Sequence, residues 1–377
     1  MAGQTRPSVG LDVRLTYYTG GGIARYIRHL AADLPGLDPH LAFTHFYRRG
    51  HSATFSAQAR RVDCWTPAHH RFERLALAAE IWPSRLDLLH SPDFIPPQAG
   101  YRRSLITVHD LTFLIYPEFL TPDSRHYYND QIRWAVRHSS AIAADSQATK
   151  ADLVRLLDVA AEKVTVIPLG LEPIFTPAPL DSQQSAGAPP VDRHGLTQGY
   201  VLFVGTFEPR KNVGGLLTAY ARLRQEWQDA PQLVLAGRRG WLFESTLRQM
   251  NELKLGGHVQ VLGDVEEQEL PGLYRRAGLF ILPSFYEGFG FTVLEAMGCG
   301  IPAVIANRAS LPEIAGDAAL AVDPDDVEAI ADALYRGLTD STLRQSLIGK
   351  GLARATQFTW QNTARATLDL YRRVLGS

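Results

Sequence analysis

Short, nearly continuous apolar runs alternate along this chain with longer stretches whose apolar residues fall three and four apart. The runs are Val9–Leu15, Leu41–Tyr47, Leu86–His90, Ser104–Val108, Ala141–Ala144 and Val164–Ile167. A second series follows at Tyr200–Val204, Leu233–Ala236, Val259–Leu262, Leu279–Leu282 and Ala303–Ala306. Runs this short and this apolar are expected as strands buried on both faces. Helical periodicity predicts a helix from Ile23 to about Leu34. Another starts at Thr121-Pro122, with Thr as N-cap and Pro at N1, and reaches about His138. Asp145 or Ser146 caps a helix to Leu157, and Asn212 caps one through about Trp227. Further helices start at Trp241, Glu266, about Val327 and about Thr342, and the last runs from Gln361 to Leu375. Strand–helix alternation implies mostly parallel sheets and an α/β class. Residues 172–199, rich in Pro, Ser, Gln and Gly, interrupt it and read as a linker. The expected division is 1–171, the linker 172–199, 200–360, and a closing helix 361–377 that packs back on the first domain.

Bulk properties narrow the class. At 377 residues, two domains can each hold a core. Hydrophobic content of 45% and charged content of 20% suit a soluble globular protein, and a net charge of −1 gives no footing for nucleic acid. Residues 1–171 hold 19 Lys and Arg against 16 Asp and Glu, a net +3 that leaves −4 for the remainder. The excess comes with arginine doublets at 48–49, 60–61 and 102–103. Such charge would attract an anionic membrane face or a diphosphate, and it also describes an ordinary solvated surface. Cys64 and Cys299 stand far apart, which points to neither a disulfide framework nor zinc and favours a reducing compartment. The first residues lack an export core and no run nears 18 apolar residues, so a cytoplasmic location is expected, with peripheral contact at the inner membrane face in view.

The chemistry concentrates in Phe285–Glu295. The apolar run Gly278–Pro283 leads into a Gly-x-Gly turn, Gly288-Phe289-Gly290, and then a helix. A helix start carries about half a positive charge and free N–H groups, a ready phosphate site. Glu287 beside a phosphate would be unfavourable unless it meets another part of the ligand, such as a sugar hydroxyl. Glu295 is expected about two turns into the helix, roughly 12 Å along its axis, where it could reach a ribose diol. A helix with solvated carboxylates would read the same way. Arg210 and Lys211 fall on the loop after the first strand of the second domain, as expected of partners for a diphosphate. Gly20-Gly21-Gly22 follows the first strand and permits close backbone approach, without the dinucleotide spacing. His109 lies where Ser104–Val108 ends, at the carboxyl edge where open parallel sheets bind ligands. His69-His70 has no ligand at metal spacing and reads as surface; no metal site is expected.

Three ordered segments of the second half resemble the retaining nucleotide-sugar glycosyltransferases of family 4, also called group 1. They are Gly205-Thr-Phe-Glu-Pro-Arg-Lys-Asn212, Glu287-Gly-Phe-Gly-Phe-Thr-Val-Leu-Glu295 with its continuation to Gly300, and Ser310-Leu-Pro-Glu-Ile-Ala-Gly-Asp-Ala318. The first half adds Gly20–Gly22, Val108-His109-Asp110 and Val166-Ile-Pro-Leu-Gly170. The resemblance implies the GT-B fold, two Rossmann-like doubly wound domains facing a central cleft. Arg210 and Lys211 would hold the donor diphosphate, Glu287 the sugar hydroxyls and Glu295 the ribose. Backbone groups of Gly288, Phe289, Gly290, Phe291 and Thr292 would cap the phosphate. Gly21 and Gly22 would approach the reacting centre, His109 would line the sugar pocket, and Val265 would contact the base. Leu169 stands where the family often has Asn, and Glu208 has no evident role. Gly205–Asn212 and Val108-His109-Asp110-Leu111-Thr112-Phe113 look like bacterial mannosyltransferases of polysaccharide assembly, which implies GDP-mannose as donor with UDP-glucose as runner-up, no cofactor, and a glycan or lipid-linked glycan as acceptor. An epimerase, a phosphorylase or a non-catalytic nucleotide-sugar binding protein on the same fold would share most of these residues.

Overall fold

The computed structural model describes residues 6–119, 122–177, 195–240 and 243–376. The expected N-cap Thr121, the helix start at Trp241 and residues 178–194 of the expected linker lie outside them. The chain forms two compact units, 1–170 with 359–377, and 171–358.

The first unit runs β1 (Ser8–Asp12), α1 (Gly22–Leu37), β2 (Ala42–Arg48), β3 (Arg60–Cys64), α2 (Glu73–Ile81), β4 (Leu86–Ser91), β5 (Tyr101–Val108), α3 (Thr112–Ile115), α4 (Pro122–His138), β6 (Ala141–Ala144), α5 (Gln147–Leu157) and β7 (Val164–Val166). Its seven strands pair in parallel in the order β3-β2-β1-β4-β5-β6-β7. The first strand is shorter than its apolar run. Arg14 turns inward after Asp12, and residues Arg14–Tyr17 form a 3-10 turn that takes Leu15 out of the sheet. Strand β3 and helix α2 escape the sequence pattern: β3 is an arginine-rich edge strand, and α2 buries only Glu73, Leu77, Ala78 and Ile81. Ser146, not Asp145, caps α5, accepting from the Thr149 amide.

The second unit runs β8 (Val201–Val204), α6 (Val213–Glu226), β9 (Leu233–Ala236), α7 (Phe243–Glu252), β10 (Val259–Leu262), α8 (Leu270–Arg276), β11 (Leu279–Leu282), α9 (Phe291–Gly298), β12 (Ala303–Ala306), α10 (Leu311–Ala315), β13 (Ala319–Val322), α11 (Val327–Thr339) and α12 (Ser341–Ala355). Its sheet order, β10-β9-β8-β11-β12-β13, repeats the same parallel winding. Helix α8 begins at Leu270, later than the expected Glu266, because Pro271 supplies its first turn. Phe175 and Leu196, both inside the stretch expected as a linker, are buried in this unit's core, with Phe175 edge-on to Tyr274.

The last helix, α13 (Trp360–Gly376), belongs to the first unit. Trp360 stacks on His29, Thr363 donates to the Pro168 carbonyl, and Arg372 pairs with Asp38 at 2.8 Å. Tyr371 meets His90 Nδ1 at 2.7 Å while Thr107 Oγ1 meets Nε2 at 2.8 Å. Burial pushes the His90 imidazole down to about 3, so this link is a neutral hydrogen-bond chain. In each sheet the winding reverses beside the first strand, between β1 and β4 and between β8 and β11. Open α/β sheets bind ligands outside the carboxyl ends of strands at that point.

Candidate active site

In the second unit the loops leaving β8 and β11 converge at the switch point. The β8 loop enters a single 3-10 turn, Pro209–Lys211, and Asn212 then starts α6 with φ +55, its side chain accepting from the Gly215 amide at 3.2 Å. That turn carries both cations toward the β11 loop. Lys211 Nζ donates to Glu287 Oε1 at 2.5 Å, and Arg210 Nη1 donates to Glu287 Oε2 at 2.8 Å. Ser284 Oγ donates to the same Oε1 at 2.7 Å. Arg210 Nη1 also reaches the Tyr286 carbonyl at 3.2 Å, and its Nε donates to Glu208 at 2.9 Å, which gives the unplaced Glu208 a partner.

Glu287 is buried, and burial alone would raise its pKa. Lys211 and Arg210 outweigh that and hold the carboxyl at about 2. Burial, with Arg210 adding repulsion, keeps the Lys211 ammonium below the ordinary lysine value against the pull of Glu287. Two cations and two carboxylates, Glu208 included, are formally neutral together. The resting site therefore holds its charges in pairs.

The turn that follows is shaped by Gly290. Its φ is +114, and a Cβ there would stand 2.9 Å from Leu311 Cδ2. Ser310 Oγ donates to the carbonyls of Glu287 and Phe289 at 2.8 and 2.7 Å, which fixes the turn from the far side. Helix α9 starts at Phe291, so the amides of Phe291 and Thr292 belong to its first turn. Glu295 is therefore only just over one turn in, not two, because the Gly-Phe-Gly segment is turn and not helix. It is buried and accepts from Tyr274 Oη at 2.9 Å. Val265 lies on the loop after β10, half-buried against the core.

The first unit holds the other expected residues. His109 follows β5 and Asp145 follows β6. Because Val108 pairs with Ala144, the two side chains are neighbours, with Nδ1 2.6 Å from Asp145 Oδ2. Nε2 is 3.0 Å from the Pro92 carbonyl. Burial would lower the pKa of this ring, but Asp145 and the carbonyl raise it to about 9. With an acceptor at each nitrogen, His109 is an imidazolium at neutral pH. Tyr26 of α1 lies edge-on at 5.3 Å, so the helix that opens at the glycine loop packs against this cation. A Cβ at Gly20 would meet nothing within 4 Å and one at Gly21 only the Thr19 hydroxyl, so packing does not require glycine at either position. Just after β1, Arg14 is buried against Asp12 at 2.6 Å and Glu73 at 2.5 Å. His69 lies at the surface, as expected, with Nε2 on Asp93 at 2.5 Å.

The structure thus gathers Arg210, Lys211 and Glu287 into one cluster and adds Glu208, Ser284 and Ser310, to which sequence reading gave no role. Asp145 was legible only as a helix cap; the pairing of adjacent strands is the signal that assigns it to His109. Among the described residues no three of His, Cys, Asp and Glu converge as a metal-binding group, and no helix is long and apolar enough to cross a membrane.

Comparison with known proteins gives a consistent setting. The family model described as glycosyl transferases group 1 matches residues 190–354, and that of glycosyltransferase family 4 matches residues 20–175. O-antigen chain mannosyltransferase B of Escherichia coli is 35% identical over 286 residues, covering 76% of this chain and 74% of that one. The serotype-specific mannosyltransferase WbdA of Escherichia coli is 30% identical over 73% of this chain, which spans about a third (34%) of that longer protein. Among solved structures, a sucrose-phosphate synthase from Thermosynechococcus elongatus superposes with a TM-score of 0.79 at 21% identity, covering 98% of this chain and 100% of that one.

Proposed function

The chain belongs to the glycosyltransferases of family 4 (group 1), with the GT-B fold, and from that premise we propose a retaining mannosyltransferase that takes mannose from GDP-mannose. The observation that carries this reading is the buried, ionised Glu287 held by Lys211 and Arg210 beside the start of α9. A diphosphate lying along that helix start would draw the two cations toward itself and loosen them from Glu287, whose oxygens then accept from sugar hydroxyls. As the bond from the anomeric carbon to the diphosphate breaks, negative charge grows on the leaving oxygen, where Arg210, Lys211 and the amides of Phe291 and Thr292 stabilise it. The acceptor hydroxyl bonds the anomeric carbon on the face the diphosphate leaves, and its proton passes to the leaving phosphate oxygen. The two cations do the charge work, so the proposed reaction uses no cofactor. Glu295, held by Tyr274, meets the ribose, and Val265 touches the base. In the first unit Gly21 and Gly22 offer bare backbone to substrate, and the His109 imidazolium supplies a fixed positive charge. The acceptor is a growing glycan or lipid-linked glycan of polysaccharide assembly, in keeping with the relatives' names.

The test is thermal stabilisation and sugar transfer across a panel of nucleotide sugars, with Glu287→Ala and Lys211→Ala alongside. A ligand at 100 times its Kd stabilises by about 2.7 kcal/mol. GDP-mannose should stabilise the protein and donate, and both variants should lose the effect. Stabilisation by UDP-glucose alone would replace the donor. Indifference to every nucleotide sugar would refute the reading.

A further inference from the structure

Helix α1 opens at the glycine loop, and little else holds that loop. A Cβ at Gly20 would meet nothing within 4 Å, so the position of the loop is inherited from whatever fixes α1. Ala24, Ile27, Leu30, Ala31 and Leu34 are buried, a non-directional contact. Tyr26, buried with them one turn after Gly22, adds a hydroxyl.

That hydroxyl joins a hydrogen-bond chain across four elements. Tyr26 Oη lies 3.0 Å from Thr107 Oγ1 of β5, and Thr107 Oγ1 lies 2.8 Å from His90 Nε2 of β4. His90 Nδ1 in turn lies 2.7 Å from Tyr371 Oη of α13. None of the four is more than 1% exposed. His90 is neutral and has one ring proton, so the chain must run in one sense throughout. Run from Tyr26 to Tyr371, it would leave the Tyr371 proton with no acceptor among the described residues. Run from Tyr371, every proton is matched: Tyr371 donates to His90, His90 to Thr107 and Thr107 to Tyr26. Tyr26 then donates to Thr367 of α13, whose hydroxyl donates to the Thr363 carbonyl at 2.8 Å. The chain leaves α13 and returns to it. Fully satisfied buried polar groups of this kind specify one arrangement where apolar packing alone admits several.

Tyr26 also meets the imidazolium. Thr107 stands two positions before His109, so the alternation of the strand turns both to one side, and Tyr26 spans them. Its hydroxyl is on Thr107 and its ring lies edge-on to His109 at 5.3 Å. We propose that Tyr26 is a positioning residue for sugar transfer: held by Thr107, His90 and Tyr371, it fixes the backbone of Gly20–Gly22 relative to His109. It acts through the loop and the imidazolium, not on the reacting atoms. The hydrogen-bond chain stands on its own distances; its part in transfer rests on the transferase reading.

The experiment uses the full chain, well below its melting temperature. Thr107→Val keeps the volume and loses the hydroxyl, Thr107→Ser keeps the hydroxyl, and Tyr26→Phe and Tyr371→Phe cut the chain at its two ends. Mannose transfer from GDP-mannose gives kcat and donor KM. NMR of histidine-labelled protein, with His109 identified through His109→Gln, follows its ring resonances without substrate. Thr107→Val and Tyr26→Phe are expected to lower kcat about tenfold or more with donor KM within about twofold, because small misplacements at a reacting centre are costly while the contacts of Lys211 and Glu295 are untouched. The His109 resonances should shift in both variants. Thr107→Ser should keep native kcat and native resonances, and Tyr371→Phe should fall between. Native kcat in both Thr107→Val and Tyr26→Phe would overturn the proposal. Lowered melting with unmoved His109 resonances would overturn it too, since a purely structural chain gives that result. Should Tyr26→Phe fail to fold, Thr107→Val and Tyr371→Phe decide by the same two readouts. Absence of transfer from any nucleotide sugar by the native chain would strike the functional reading. The resonances would then still decide whether the chain fixes Tyr26 on the imidazolium: shifted in Thr107→Val they uphold it, and unshifted they overturn it.

Discussion

Lys211 and Glu287 are 76 positions apart in the chain, yet Nζ and Oε1 lie 2.5 Å apart with both side chains buried. Two loops on neighbouring strands bring them together, and neither residue is stable there as a lone charge. Removing one partner leaves the other charged and buried, which typically costs about 3–5 kcal/mol. Glu287→Ala should therefore lower the unfolding free energy of the second unit by about that amount as well as abolish transfer. Chemical denaturation at pH 7 measures it. A loss below 1 kcal/mol would mean that water screens the pair.

The same pair has a pH signature. Glu287 titrates at about 2 in the fold, below its ordinary value of 4.5. Its depressed pKa stabilises the fold above about pH 4.5, and that contribution is lost as pH falls toward 2. Native protein should lose more stability across that window than Glu287→Gln does. Parallel curves would show that the carboxyl is not held ionised by its neighbours.

His109 predicts the opposite slope. Its pKa is raised from 6.5 to about 9, so the protonated ring stabilises the fold fully below pH 6.5, and the contribution disappears as pH rises through 9. The shift corresponds to about 3 kcal/mol. The stability difference between native protein and His109→Gln should shrink across that range. A difference that stays constant from pH 6 to 10 would show a neutral ring.

Much of this was legible in the sequence because buried parallel strands write themselves as short apolar runs. Ala141–Ala144, Leu233–Ala236, Leu279–Leu282 and Ala303–Ala306 have their expected bounds. The edge elements were not legible. Arg60–Cys64 is an edge strand in which only Cys64 is buried, and Glu73–Ile81 leaves Leu75 exposed while burying Glu73, so neither shows the pattern that burial produces. The candidate site divides in the same way. Arg210, Lys211, Glu287 and Gly290 stand out because cations, a carboxylate and glycine at loop positions need a reason. Ser284, Ser310 and Asp145 do not, because small polar residues at loop starts are common. Their parts follow only from which strands are adjacent.

Tyr274 and Glu295 test whether a buried hydrogen bond positions the second carboxylate. Tyr274→Phe removes the donor 2.9 Å from Glu295 Oε2. Loss of a hydrogen bond to a charged group costs about 1.5–3 kcal/mol. If Glu295 meets the ribose, the variant should raise KM for the donor several-fold with kcat nearly unchanged, since the ribose lies away from the breaking bond. An unchanged KM in a destabilised protein would leave Tyr274 a structural role only.

Gly290 tests the turn itself. At φ +114 an L side chain is strained, and the new Cβ would also meet Leu311 2.9 Å away. Gly290→Ala must shift Leu311, which begins α10, or rotate the turn that sets the start of α9. Either way the amides of Phe291 and Thr292 move relative to Arg210 and Lys211, and a misplacement of about 1 Å can cost on the order of a hundredfold in rate. The expected result is destabilisation of about 1–3 kcal/mol with a fall in kcat much larger than any change in donor KM. Leu311→Ala in the same chain removes the clash but not the backbone strain. Partial recovery of kcat in the double variant would assign the loss to geometry at the helix start. Full activity in Gly290→Ala alone would show that the helix start takes no part in stabilising the leaving group.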